Sequence, residues 1–114
     1  MVIKREDMKS EVRHAMRGGD GSVKITHLES KDNMKNCRLL CELTIPPGAG
    51  VGEHEHIDET EYYIITAGEG TVVDNGTEVP VKAGELVVTG HKETHSISNT
   101  GTVDLTMIAV IITY

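Results

Sequence analysis

The stretch Gly48-Ala49-Gly50-Val51-Gly52-Glu53-His54-Glu55-His56-Ile57-Asp58-Glu59-Thr60-Glu61-Tyr62-Tyr63-Ile64-Ile65-Thr66-Ala67-Gly68 decides how this chain is read. Pro46-Pro47-Gly48 stops the strand before it, because proline lacks the N–H that a ladder needs. His54 and His56 are two residues apart, so on a strand their side chains share a face, with Cα atoms about 6.6 Å apart. Two imidazoles so placed can converge on one ion. Glu61 follows His56 by an odd spacing that an unbroken strand would turn away. The polar run Asp58-Glu59-Thr60 permits a loop or bulge that restores the facing.

A third imidazole, His95, opens a later short strand, Thr94-His95-Ser96-Ile97-Ser98, followed by Asn99. Three imidazoles and one carboxylate suit a divalent transition metal. Four protein ligands leave two positions of an octahedral ion open for water or for a substrate offering two oxygens. Tyr63 shares parity with Glu61 and is read either as lining the cavity or as a core residue whose hydroxyl finds a partner, with Tyr62 facing outward. His91, four residues before His95, is placed in a loop at the mouth. It is read either as a proton shuttle or as a solvated loop histidine. Ile65, Val88, Ile97 and Met107 are taken as apolar walls. Glu53, Glu55, Asp58 and Glu59 are taken as a solvated acidic rim.

The surrounding text is β-rich. Strands are expected near 23–29, 37–45, 53–57, 61–66, 70–73, 77–81, 86–89, 94–99 and 103–113. Short β-branched runs broken by turn signals carry this reading. Asp74-Asn75-Gly76 suits a tight hairpin, since Asn and Gly tolerate positive φ. Residues 6–16 read equally as a helix, with Met8, Val12 and Ala15 or Met16 on one face, or as an extended segment. Arg17-Gly18-Gly19-Asp20-Gly21 reads as a turn; it lacks the residues of a phosphate loop. The last strand has Leu105, Met107, Ala109 and Ile111 on one face and Ile108, Val110 and Ile112 on the other. Both faces therefore look buried, and a partner subunit is expected to cover the second.

Composition narrows the function. The chain has 114 residues and a formal charge of −7, enough for one domain. It has no Phe, no Trp and three Tyr, so a base-stacking platform for single-stranded nucleic acid is excluded. The charge is asymmetric. Residues 1–38 carry nine Lys/Arg against six acids, whereas residues 39–114 carry two Lys/Arg against twelve acids. A mildly basic arm, residues 1–21, thus precedes a body, residues 22–114, that is acidic beyond residue 38. An acidic chain is a poor polyanion binder, so no nucleic-acid partner is expected. No apolar run approaches the roughly 18–20 residues of a membrane span, and the start lacks a hydrophobic signal region. The expectation is a soluble, cytoplasmic protein. Cys37 and Cys41 on one strand would be about 13 Å apart, too far for a disulfide.

The quoted stretch resembles the first cupin motif: Gly, five residues, His-x-His, three or four residues, Glu, six residues, Gly. Gly84, Gly90, His95 and Asn99 resemble the second motif, although its usual proline is replaced within Gly90-His91-Lys92. The resemblance covers about residues 37–112. It implies an all-β fold, a double-stranded β-helix (jelly-roll) barrel. It also implies one divalent metal (Mn, Fe, Ni or Zn) on His54, His56, Glu61 and His95, and a homodimer. The chain is further similar to small cupins described as oxalate decarboxylases. The function so implied is a metal-dependent enzyme, a decarboxylase, isomerase, lyase or dioxygenase, with Tyr63, His91 or an uncoordinated carboxylate moving the proton. Its substrate would be a small oxygen-rich acid or uronate-like sugar. The alternative is a non-catalytic binding or sensor module for the same ligands. Beyond Arg38 the only cations are Lys82 and Lys92, which disfavours a sugar-phosphate substrate. Arg38 is the expected anion partner if its strand faces inward.

Overall fold

The computed structural model describes residues 1–114. Ten strands run β1 (Lys9–His14), β2 (Ser22–His27), β3 (Cys37–Ile45), β4 (Gly50–Glu55), β5 (Glu59–Ala67), β6 (Glu69–Asp74), β7 (Thr77–Lys82), β8 (Leu86–Gly90), β9 (Thr94–Ser98) and β10 (Leu105–Thr113). Short 3-10 turns at Arg5–Asp7, Met16–Gly18 and Lys31–Asn33 complete the chain. The nine strands expected from the sequence are all present. The ambiguous segment 6–16 is extended rather than helical over β1, which pairs antiparallel with β2.

Two sheets result. One has the order β1-β2-β3-β10-β5-β8, the other β4-β9-β6-β7. No ladder joins them, so the barrel is open and is held together by side chains between the sheets. The alternation of the sequence fixes the inner faces. In β10, Leu105, Met107 and Ala109 are fully buried and Ile111 is 3% exposed. They meet Cys41, Leu43 and Ile45 of β3 and Tyr63 and Ile65 of β5, all buried. Each large side chain of this set contributes roughly 1.5–3 kcal/mol by leaving water. The core is aliphatic apart from Tyr63, as a chain without Phe or Trp requires.

The outer face of β10 is partly open in the single chain. Ile108 and Val110 are half-buried and Ile112 is 37% exposed. Val88 is corrected: it is 48% exposed on β8, whose inward residues are Val87 and Thr89. The hairpin β6–β7 turns on Asn75 (φ 47°) and Gly76 (φ 90°), where two successive positive φ values match the twist of the strands. Asn99 ties the end of β3 to the β9–β10 loop. Its amide donates to the carbonyls of Ile45 and Val103, both at 2.8 Å, and its Oδ1 accepts from the Gly101 N–H at 2.9 Å. No helix is long and apolar enough to cross a membrane. Cys37 and Cys41 are unbridged thiols.

Candidate metal centre

The four residues marked out by spacing come together. His54 of β4 and His95 of β9 stand directly opposite each other in the β4–β9 ladder. A bulge between Val51 and His54 re-aims the strand at this point. His56 lies just beyond β4. Its N–H donates to the Glu93 carbonyl at 3.1 Å, and its own carbonyl accepts from the Lys92 N–H at 2.9 Å. Asp58 then adopts φ 57°, the loop conformation that restores the facing of Glu61 on β5.

The ligand atoms of His54, His56, Glu61 and His95 all lie within 4.8 Å of one another. The Nε2 of His95 is 2.9 Å from that of His54 and 3.0 Å from that of His56. Glu61 Oε1 is 2.9 Å from His95 Nε2, 3.0 Å from His56 Nε2 and 3.5 Å from His54 Nε2. That oxygen is buried, and no hydrogen-bond donor is aligned on it.

A second ring of groups orients the imidazoles through their other nitrogens. His54 Nδ1 donates to the Gly52 carbonyl at 2.8 Å, and His56 Nδ1 donates to Glu59 Oε2 at 2.5 Å. Both partners can only accept, so both rings carry the proton on Nδ1. The Nε2 lone pairs of His54 and His56 therefore point at the shared centre. His95 Nδ1 is 2.8 Å from the Thr89 hydroxyl, which is wholly buried and can either donate or accept. Thr89 faces inward because it stands opposite Glu61 in the β5–β8 register.

Glu59 is corrected from the solvated rim. Its side chain is 12% exposed. It receives a two-pronged ion pair from Arg38, Nε at 2.8 Å and Nη2 at 2.7 Å. Arg38 thus acts on His56 through Glu59. The guanidinium holds the Glu59 carboxyl below its ordinary range against the opposing effect of burial, and His56 adds to the lowering. These residues fit a bound cation: an excess of acceptor atoms meets at one buried point, each held by a partner behind it.

Tyr63 is buried and its ring stacks on His95, with centroids 4.9 Å apart and planes at 10°. Burial pushes its hydroxyl well above the usual value, and Glu61 pushes it further. His91 is not brought to the centre. It is exposed, and its ring sits 6.4 Å from Tyr114. Beside the ligands is a cavity of about 210 Å³. Its apolar walls are Ile25, Leu39, Leu43, Val51 and Ile111, with Cys41 and Met16. Ile65, Ile97 and Met107 pack in the core and do not line it. Three arginines, Arg13, Arg17 and Arg38, border the cavity with His27. Two of them come from the basic arm, a contribution that the count of cations beyond Arg38 missed. The arm's positive balance was the available signal.

Residues 41–111 match the model of the cupin domain family. The chain belongs to that family. The open two-sheet arrangement is its double-stranded β-helix. An oxalate-binding protein of Thermotoga maritima is 47% identical over 113 residues, 98% of this cupin and 93% of the relative. The crystal structure of a predicted oxalate decarboxylase from Thermotoga maritima superposes with a TM-score of 0.95 at 45% identity, over 100% of both chains. The cupin domain of Schizosaccharomyces pombe Cnp3 superposes with a TM-score of 0.74 at 15% identity, over 91% of this chain and 69% of that one. The last likeness is one of fold alone.

Proposed function

We propose that this cupin holds one divalent transition-metal ion on His54, His56, Glu61 and His95 and binds a small dicarboxylate of the oxalate class on that ion. The observation that carries the reading is the convergence of three Nε2 atoms and Glu61 Oε1 at the edge of a small cavity bordered by arginines. The ion would supply a Lewis acid with positions open to two oxygens. The protein's own residues orient the ligands through Gly52, Glu59 and Thr89, exclude water with aliphatic walls, and offset negative charge with the bordering arginines. The relative named for oxalate binding supports the ligand class.

A proton donor for decarboxylation would have to stand in the cavity and change its charge readily. Glu61 faces the centre, and burial pushes the Cys41 thiol up to about 12. Tyr63 and His27 are the remaining donors on the lining, and the position of Tyr63 against His95 supports a second reading in which the same site catalyses a proton transfer. His91 lies outside both. Calorimetric titration of Mn(II)-loaded protein with oxalate, followed by an assay for formate and carbon dioxide, tests the readings. Saturable one-to-one binding without product supports the receptor; product formation supports the enzyme; no binding refutes both.

A further inference from the structure

The chain has four arginines, and three are neutralised within the fold. Arg5 pairs with Glu42, Arg13 with Glu11 and Arg38 with Glu59. Arg17 has no carboxylate partner, and it borders the cavity that holds the metal-ligand group. We infer that Arg17 is the anion receptor of the site, the residue that takes the outward oxygens of an acid whose inner oxygens are on the ion. The inference rests on the small-dicarboxylate reading above and adds the residue that selects for charge.

The backbone around Arg17 is built to hold it there. The turn Met16–Gly18 packs against β4, the strand that carries His54. Chain meets chain so closely that no side chain fits between. A Cβ on Gly52 would lie 2.1 Å from the Arg17 carbonyl oxygen, and one on Gly19 would lie 2.3 Å from the Gly50 carbonyl oxygen. The Gly50 N–H donates to the Asp20 carbonyl at 2.9 Å, and the Ala15 N–H donates to the Gly21 carbonyl at 2.9 Å. Within this clasp Ala15 and Arg17 adopt φ of 50° and 53°, a conformation that non-glycine residues rarely accept. Such geometry persists where the surroundings over-determine it, often at ligand clamps. A guanidinium presents a planar fork suited to two carboxylate oxygens.

The test is titration calorimetry of Mn(II)-loaded protein with oxalate, with manganese content measured on each sample. Arg17→Ala should keep its manganese and lose oxalate affinity by roughly 10- to 100-fold, the scale of one charge-assisted contact. Arg17→Lys should recover part of that loss by keeping the charge without the fork. Arg5→Ala, which removes the same charge far from the cavity, should bind as wild type does. Oxalate binding by Arg17→Ala at wild-type strength would overturn the inference, as would an equal loss in Arg5→Ala. Failure of the wild-type protein to bind oxalate would instead overturn the ligand reading on which the inference stands.

Discussion

His54 and His95 face each other across the β4–β9 ladder with their Nε2 atoms 2.9 Å apart. Gly52 fixes the His54 proton on Nδ1, so a lone pair looks toward His95. Glu59 does the same for His56. A buried carboxylate oxygen joins them with no aligned donor. Acceptors gathered in this way do not stabilise one another; a bound cation would make the arrangement favourable.

The first prediction concerns the support behind His56. Glu59→Ala removes the acceptor on Nδ1 and releases Arg38. Metal affinity should fall about 10- to 100-fold, the usual cost of losing such an outer partner. Competition with a chelating dye measures it. Arg38→Ala should give a smaller loss, because Glu59 can still accept from His56.

Thr89→Val tests the corresponding support behind His95. The shapes are similar, but the hydroxyl at 2.8 Å from Nδ1 is gone and a buried polar nitrogen loses its partner. Folding stability should drop by about 1–3 kcal/mol in chemical denaturation. Metal affinity should drop with it.

Gly52→Ala probes the clasp between the N-terminal turn and β4. The new methyl would collide with the Arg17 carbonyl. The turn must move, so oxalate affinity should fall while the four metal ligands keep their metal. Paired metal analysis and calorimetry separate the two effects. Loss of metal with retention of the turn would contradict the geometry.

Nine of the ten strands, and all four converging side chains, are legible in the sequence. The reason is local: alternation, proline and glycine breaks, and a His-x-His pair are all short-range signals. β1 is not legible. All six of its residues are exposed, so neither face imposes alternation, while Met8, Val12 and Met16 mimic a helical stripe. Thr89, Glu59 and Arg17 are hidden for a different reason. Thr89 is placed by the β5–β8 register, Glu59 by its contact with Arg38, and Arg17 by a turn that docks on a strand far along the chain. None of these relationships has a sequence period.

Cys41 offers a pH prediction. Burial raises its thiol to about 12, so at pH 8 the reactive thiolate is a very small fraction. Because the pKa is raised, reactivity grows only as pH climbs toward that value. Iodoacetamide at pH 8 should leave Cys41 unmodified in the folded protein and modify it after denaturation, as peptide mass mapping would show.

The central claim is that His54, His56, Glu61 and His95 hold one metal ion. Elemental analysis of protein purified without chelator, beside His95→Ala prepared identically, tests it most directly. The account predicts close to one transition-metal ion per chain in the wild type and almost none in the variant, with both folded by circular dichroism. Equal metal content in the two proteins, or a wild-type chain that takes up no metal when offered Mn(II), Fe(II), Ni(II) or Zn(II), would contradict it.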